Sequence, residues 1–426
     1  MSYPLPTSLD QSAIRAQHTL MLLAHLREDD VSRAELSRRM GMSRSAISSI
    51  VVHLLDLGLV LEQGPGFSSA GRKPTLLSLC SEAVYVWGVD IGARHLGVGL
   101  FDLRGHPLEQ KSISHDVRQG PRATYAALEG LLEGLHFGAL AQRSAGMGVS
   151  VAGPVDFRTG RIIDPPNMAG WDGENVVLAL EERFGLRVRA DNDANLGALA
   201  ESRGTGSSHS LIYLKCATGI GAGLLLEGRI YRGVMGGAGE LGHISINADG
   251  PVGRSGNPGS LESYSAGYAL LERMRSHLPH LPSTLYQDSS LEDLVHAARQ
   301  GDPLAVRLVR EAGDSLGIAL TTLLNLFNPA EVVIGGELAA AGPLLLEAIT
   351  EVVHSRTLRI NRDHTAFRLS TLGANASLLG AAQLALHDLY SPAGLDTLYR
   401  IVEQAQRKTL KQAPHKATHK EERVPM

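Results

Sequence analysis

Cysteine is almost missing from this chain: its 426 residues hold two, Cys80 and Cys216. Two thiols so far apart make neither a disulfide framework nor, alone, a four-cysteine metal site, and a reducing compartment is the expectation. Long apolar runs are missing too. No stretch approaches the roughly 18 uncharged apolar residues of a membrane helix. The opening MSYPLPTSLD lacks the basic-then-apolar order of a secretion signal, so a cytoplasmic protein with no membrane partner is expected. Nor is there an excess of one charge: 40 Lys and Arg stand against 44 Asp and Glu. With 43% hydrophobic residues the chain is neither disordered nor collagen-like. Its length exceeds the roughly 250–300 residues at which a single core stops growing, which predicts more than one domain.

Glycine is in excess, 47 of 426 residues against an ordinary share of about 7%, so tight turns and close backbone approaches are expected. The near-neutral total also hides a local bias. Residues 31–75 carry six basic side chains (Arg33, Arg38, Arg39, Arg44, Arg72, Lys73) against three acidic ones (Glu35, Asp56, Glu62). Charge alone fits a solvated surface as well as a nucleic-acid partner, but the pattern says more. Ile14, Leu20, Leu22, Leu23 and Leu26 mark one amphipathic helix. Ser32, with Glu35 three residues on, reads as a capping box for a short helix over 33–40 that Gly41 stops. Ser43 caps a third helix, in which Ile47, Ile50, Val51, Leu54 and Leu55 share one face and Arg44, Ser45, Ser48, Ser49 and His53 the other.

That is the order of a helix-turn-helix, which lays its third helix in a major groove with Ser43, Arg44, Ser45 and Ser48 toward the bases. Strands over 59–62 and 75–79 around a loop rich in Gly and Ser predict a wing. Its tip, with Arg72 and Lys73, suits phosphates or a narrow minor groove. A three-helix interaction module with an ordinary hairpin is the plainer alternative. We place the winged helix in residues 1–80, with a linker over 80–85.

The remainder reads as α/β. A strand over 85–90 ends in the turn Asp90-Ile91-Gly92-Ala93-Arg94 and is followed by a strand over 96–102. The same grammar returns as a strand over 211–215, the turn Cys216-Ala217-Thr218-Gly219 and a strand over 220–226. Such a repeat predicts two similar lobes, each offering a glycine turn to a shared cleft where backbone N–H groups approach phosphates closely. Either turn alone would read as a plain hairpin. Asp191, Asn192, Asp193 and Asn195 end a strand that begins at Val188, the place where open α/β sheets bind ligands; helix capping accounts for one of the four. Glu240 and His243 stand three apart, and Glu262 follows a glycine-rich loop. Amides, carboxylates and an imidazole together suit a polyhydroxylated ligand.

These residues resemble the ROK family of bacterial sugar kinases and sugar-responsive repressors, within the actin-like ATPase superfamily. The resemblance spans residues 20–386. It rests on Asp90-Ile91-Gly92, Asn192-Asp193-Ala194-Asn195, Thr218-Gly219-Ile220-Gly221-Ala222-Gly223, Gly239-Glu240-Leu241-Gly242-His243, and Asn328-Pro329 with Val332-Val333-Ile334-Gly335-Gly336. It implies a two-lobed, ribonuclease H-like body over 85–390. It also implies sugar contacts from Asn167, Asn192, Asp193, Glu240, His243 and Glu262, and nucleotide-type turns at Asp90, Gly92, Thr218, Gly219 and Gly221. Asp193 matches the kinases' general base. The fused winged helix belongs to the repressor branch, and implies as partners a palindromic double-stranded operator, a sugar or sugar-derivative effector and further copies of the chain in a homodimer or higher homo-oligomer.

Departures from the family pattern separate the branches. Arg94 stands where the family's kinases carry a small hydroxyl residue, and its bulk and charge alter a turn that holds ATP phosphates and magnesium. The family's structural zinc is bound by a histidine and three cysteines. Here Gly253, Ser255 and Ser260 replace those cysteines, so no metal is expected and His243 is left for the sugar. The leading expectation is a sugar-sensing repressor with a vestigial Asp193 and no cofactor. The alternatives are a kinase using ATP and magnesium with an accessory DNA-binding domain, and a DNA-binding protein that has lost its ligand response. Residues 406–426, with six basic and two acidic side chains, read as a disordered tail.

Overall fold

The computed structural model describes residues 11–65, 75–204 and 210–412. Its N-terminal part follows the expected order: α1 (Gln11–Glu28), β1 (Val31–Ser32), α2 (Arg33–Met40), α3 (Arg44–Asp56), β2 (Val60–Pro65) and β3 (Thr75–Leu79). Ser32 and Ser43 cap α2 and α3, their hydroxyls accepting from Glu35 N and Ala46 N. Gly41 makes the turn with a left-handed φ of 63°. The expected capping box is only half built, because the Glu35 carboxylate pairs with Arg38 and Arg39. The wing gains a strand that hydrophobic patterning missed: the two-residue β1 pairs with β3, which pairs with β2. In α1 the core contacts come from Leu22, Leu23 and Leu26, while Ile14 is exposed. The wing tip, with Arg72 and Lys73, lies outside the described residues.

The body begins with β4 (Tyr85–Ile91), β5 (His95–Phe101), β6 (Pro107–Ser114), α4 (Pro121–Glu133), α5 (Phe137–Leu140), β7 (Ser144–Val151), β8 (Val155–Asp156), β9 (Arg161–Ile162), α6 (Val176–Phe184), β10 (Val188–Asn192) and α7 (Asp193–Gly204). The second lobe holds β11 (Leu211–Cys216), β12 (Ile220–Leu226), β13 (Arg229–Ile230), α8 (Glu262–Ser265), α9 (Gly267–His277), α10 (Leu291–Arg299), α11 (Pro303–Phe327), β14 (Glu331–Gly335), α12 (Pro343–Arg356), α13 (Arg359–Arg362) and β15 (Ala366–Leu369). Two closing helices follow, α14 (Ala376–Leu389) and α15 (Pro392–Gln412).

The internal repeat is realised strand for strand. The first lobe's sheet runs β6-β5-β4-β7-β10 and the second's β13-β12-β11-β14-β15. In each, three antiparallel strands are extended by two parallel ones. Parallel strands need crossover connections, and the intervening helices supply them. No helix among the described residues is long and apolar enough to cross a membrane.

Helix α14 lies against β4, β7 and α7. Its approach is so close that backbone meets backbone: a Cβ built on Gly148 would stand 1.8 Å from Ala381 O, and one on Gly380 1.9 Å from Leu196 O. Two expected boundaries change as a result. The segment over 80–85 is not a free linker, since Val84 and Tyr85 are buried and Leu103 N donates to Ser81 O at 2.8 Å. Nor are residues 406–412 disordered: they complete α15, and Gln406 Nε2 donates to Asp56 O at 2.9 Å. Residues 413–426 lie outside the described residues. The physical reason is one shared core. Leu22, Leu26 and Leu54 of the winged helix pack in the same cluster as Leu386 of α14 and Leu398 and Ile401 of α15.

Gly148→Ala is therefore expected to destabilise the protein by about 1–3 kcal/mol or more, as overpacked cores do. Gly130→Ala, on an exposed position of α4 with nothing within 4 Å of the new methyl, is expected to stabilise it by about 0.5–1 kcal/mol. Urea unfolding of both variants checks the pair, and equal stability would contradict the seating of α14.

Candidate functional site

The two lobes enclose a cavity of about 970 Å³. Both glycine turns reach it, bringing Asp90, Gly92, Thr218, Gly219 and Gly221 to its wall, and Asn167, Asn192, Asp193, Glu240, His243 and Glu262 line it as well. The fold thus gathers in one cavity wall the residues expected at the sugar and at the nucleotide-type turns, whereas Asp191 and Asn195 are not among the lining residues.

The four polar side chains that end β10 divide their work unevenly. Asn192 caps α7, its Oδ1 accepting from Ala194 N at 2.9 Å and Asn195 N at 3.3 Å, and its Nδ2 donates to Gly153 O at 3.2 Å. Asp191 accepts from Asn195 Nδ2 at 3.0 Å and from Arg232 Nε at 2.6 Å. Three of the four are therefore structural, where the sequence assigned that role to one. Asn192 reaches the cavity wall with its Oδ1 and one amide hydrogen engaged, which leaves the second amide hydrogen for a ligand. Asp193 keeps its place at the head of α7, facing the cleft.

Asp193 is not alone there. Lys215, at the end of β11, donates to Asp193 Oδ2 at 2.7 Å and to Ser377 Oγ of α14 at 3.1 Å. Burial works against the Lys215 charge, but the Asp193 and Asp90 carboxylates outweigh it and raise its pKa. Asp90 is buried, accepts from Ser150 Oγ at 2.7 Å, and lies 2.8 Å from His95 Nε2. Burial would push the Asp90 carboxyl up, yet the His95 contact and the Lys215 ammonium hold it below its usual range. His95 is raised in turn, chiefly by its hydrogen bond to Asp90. Composition gave no sign of this network. A single lysine ending an apolar strand was its one signal in the sequence, and the pattern of glycine turns drew attention away from it.

The cavity also has polar atoms left without a partner among the described residues. Glu262 Oε1 accepts from Ile220 N at 3.0 Å, while its buried Oε2 has no hydrogen-bond partner among the described residues. The buried Nδ1 of His243 has none either, and its Nε2 stands 3.7 Å from Glu240 Oε2. Burial raises the Glu240 pKa, helped by the nearby Asp193 and Glu262 charges and opposed by His243. Buried groups without partners cost about 1–3 kcal/mol each, so these atoms favour a ligand that can donate to a carboxylate and bond an imidazole. Arg94 lines the cavity at the first turn, and its guanidinium makes no ion pair or hydrogen bond among the described residues. In the winged helix, Ser43, Arg44 and Ser45 are exposed at the start of α3, and Ser48 is half-buried.

The family model described as ROK family matches residues 86–388, and that described as MarR family matches residues 15–66. The xylose repressor of Bacillus spizizenii is 31% identical over 398 residues, covering 88% of this chain and 97% of the relative. The DNA-binding transcriptional dual regulator NagC of Escherichia coli K12 is 27% identical over 361 residues, covering 83% and 88%. Among solved structures, a ROK family transcriptional regulator described as a homolog of the E. coli MLC protein superposes with a TM-score of 0.78 at 26% identity, covering 91% of this chain and 99% of its own. A ROK family glucokinase from Streptomyces griseus, in complex with glucose and AMPPNP, superposes with a TM-score of 0.64 at 29% identity, covering 71% and 99%.

Lys215→Met would leave the half-buried Asp193 and the buried Asp90 carboxylates without their ammonium, and a loss of about 3 kcal/mol is expected in urea unfolding. A second expectation concerns pH. His95 has a folded pKa above its ordinary 6.5, so its contribution is complete below that value and fades as pH rises through the raised one. The Tm advantage of the wild type over His95→Gln should be largest near pH 6 and shrink toward pH 9; a constant difference would contradict the pairing.

Proposed function

The chain belongs to the ROK family, and on that premise we propose that it is a DNA-binding transcriptional repressor of carbohydrate genes whose kinase-like cleft binds a sugar effector. The observation that carries this reading is α14. Its first residues, Ala376 and Ser377, line the cavity, and its far end, through Ala385, Leu386 and Leu389, belongs to the core of the winged helix. A change of lobe angle at the cleft is thereby felt at the DNA-binding end. Two copies of the chain would read a palindrome, with recognition helices in successive major grooves about 34 Å apart. Effector binding would change that spacing. A ligand moves such an equilibrium only through unequal affinity for the two states.

The Lys215–Asp193 pair favours a sensor over a kinase. A general base must be free to take a proton, and here the candidate carboxylate is already bound to an ammonium at 2.7 Å. The residues present do not fit the magnesium and ATP of the kinases: Lys215 puts a positive charge beside Asp90 and Asp193, and Arg94 adds another at the first phosphate turn. Sugar is the ligand class that the open donor and acceptor set suits. D-xylose is the first probe, because relatives bearing the name xylose repressor match the chain nearly end to end.

Fluorescence anisotropy with DNA from upstream of the protein's own gene tests this. Preference for a palindromic site over random DNA, weakening as salt rises and changing when D-xylose or N-acetylglucosamine is added, is the expected result. Arg44→Ala should weaken operator binding about tenfold, as loss of one base or phosphate contact does, with sugar binding unchanged. Absence of any site preference would overturn the proposal. So would ADP release with sugar, ATP and magnesium that Asp193→Asn abolishes.

A further inference from the structure

The family resemblance implies a zinc in the loop between His243 and Glu262, and the residues present here do not fit one. No thiolate remains among Gly253, Ser255 and Ser260. The space is also taken: a Cβ on Gly253 would stand 1.9 Å from Ser260 Oγ, and that hydroxyl is engaged 3.0 Å from Ser263 Oγ. The loop is closed instead by its own hydrogen bonds. Ser245 Oγ donates to Pro258 O at 2.8 Å, Asn257 Nδ2 to His243 O at 3.0 Å, and Gly253 N to Asn257 O at 2.9 Å.

One side chain of this loop leaves it. The Arg254 guanidinium sits 3.5 Å over the Tyr268 ring of α9, a cation–π arrangement, and its Nη1 donates to Asn167 Oδ1 at 2.7 Å. Asn167 belongs to the first lobe, in the segment between β9 and α6, whereas Arg254 and Tyr268 belong to the second. The contact therefore spans the mouth of the cleft. It also commits the acceptor atom of Asn167 and leaves its Nδ2, which lies beside Gly219, free to donate.

We propose that Arg254 is a positioning residue that replaces the family's metal: it pins the metal-free loop on Tyr268, clasps the two lobes through Asn167, and presents the Asn167 amide as a donor to a sugar hydroxyl. The last clause rests on the sensor reading above; the clasp and the metal-free loop do not.

Hydrogen–deuterium exchange on the full-length chain tests the clasp without ligand. Arg254→Ala should speed exchange in residues 163–170 and 250–260 and leave β4 and β7 unchanged; unchanged exchange in both segments overturns it. After dialysis against zinc and desalting, elemental analysis should find far less than one zinc per chain. One zinc per chain, whose chelation loosens residues 250–260, overturns the metal-free loop. With D-xylose as the probe, Arg254→Ala and Asn167→Ala should each weaken binding about tenfold, the share of one charge-assisted hydrogen bond. The double variant should be no weaker than either single one. Full additivity would overturn the route through Asn167. A wild type that binds no sugar but shows the exchange changes would count against the sensor reading and leave the clasp standing.

Discussion

The seat of α14 is the constraint on which the rest of the structure depends. Helices ordinarily pack on a sheet through side chains, but here the approach is set by main-chain contact with Gly148 in β7 and with α7 through Gly380. Close-packed interiors do not deform continuously. A helix seated at this distance cannot tilt without its neighbours moving too, so α14 transmits displacement rather than absorbing it. One end carries Ser377 into the cleft, where Lys215 holds it. The other end is part of the core that the winged helix needs to be stable at all, since a three-helix module of that size buries little apolar surface on its own. Sensor and reader are thereby one cooperative body rather than two beads on a string.

The ion pairs on the surface of that body reinforce the same boundary. Arg104 pairs with Asp30 at 2.7 Å and Arg203 with Glu28 at 3.1 Å, both bridging body and winged helix. Exposed pairs contribute about 0–1 kcal/mol each, so they set orientation more than stability. The stack of Arg27 over Tyr390, at 4.5 Å, is of a different kind, because Arg27 is half-buried and burial lowers its pKa. Apolar packing supplies the joint, and these polar contacts fix its angle.

Much of this was legible in the sequence where local rules dominate. Ser32 and Ser43 were readable as caps because capping needs only a hydroxyl before a helix. The duplicated lobes were readable because glycine turns punctuate each meander at matching places. The cleft followed from the two together. What the sequence hid was long-range partnership. Lys215 lies in a run that reads as an ordinary buried strand, and only the fold brings it against Asp193 and Ser377. Residues 406–412 carry enough charge to read as solvent-loving, yet α15 presents Leu398 and Ile401 to the winged helix and draws its own C-terminal turns along. The segment over 80–85 is too short and ordinary to reveal that Val84 sits in the shared core.

The placement of charge bears on what the kinase-like cleft can bind. In a kinase the acidic residues of the cleft are balanced by what arrives, metal and nucleotide; here Lys215 offsets part of the charge of Asp90 and Asp193 from within, and His95 hydrogen-bonds Asp90. What remains open to a ligand is Glu262 Oε2 and His243 Nδ1 in the second lobe and the Asn167 amide in the first. A sugar that satisfies groups in both lobes at once binds the closed state better than the open one. Each buried polar group that gains a partner contributes about 1–3 kcal/mol. Two or three of them reach the roughly 5.5 kcal/mol of unequal affinity needed to carry a two-state protein from 1:99 to 99:1.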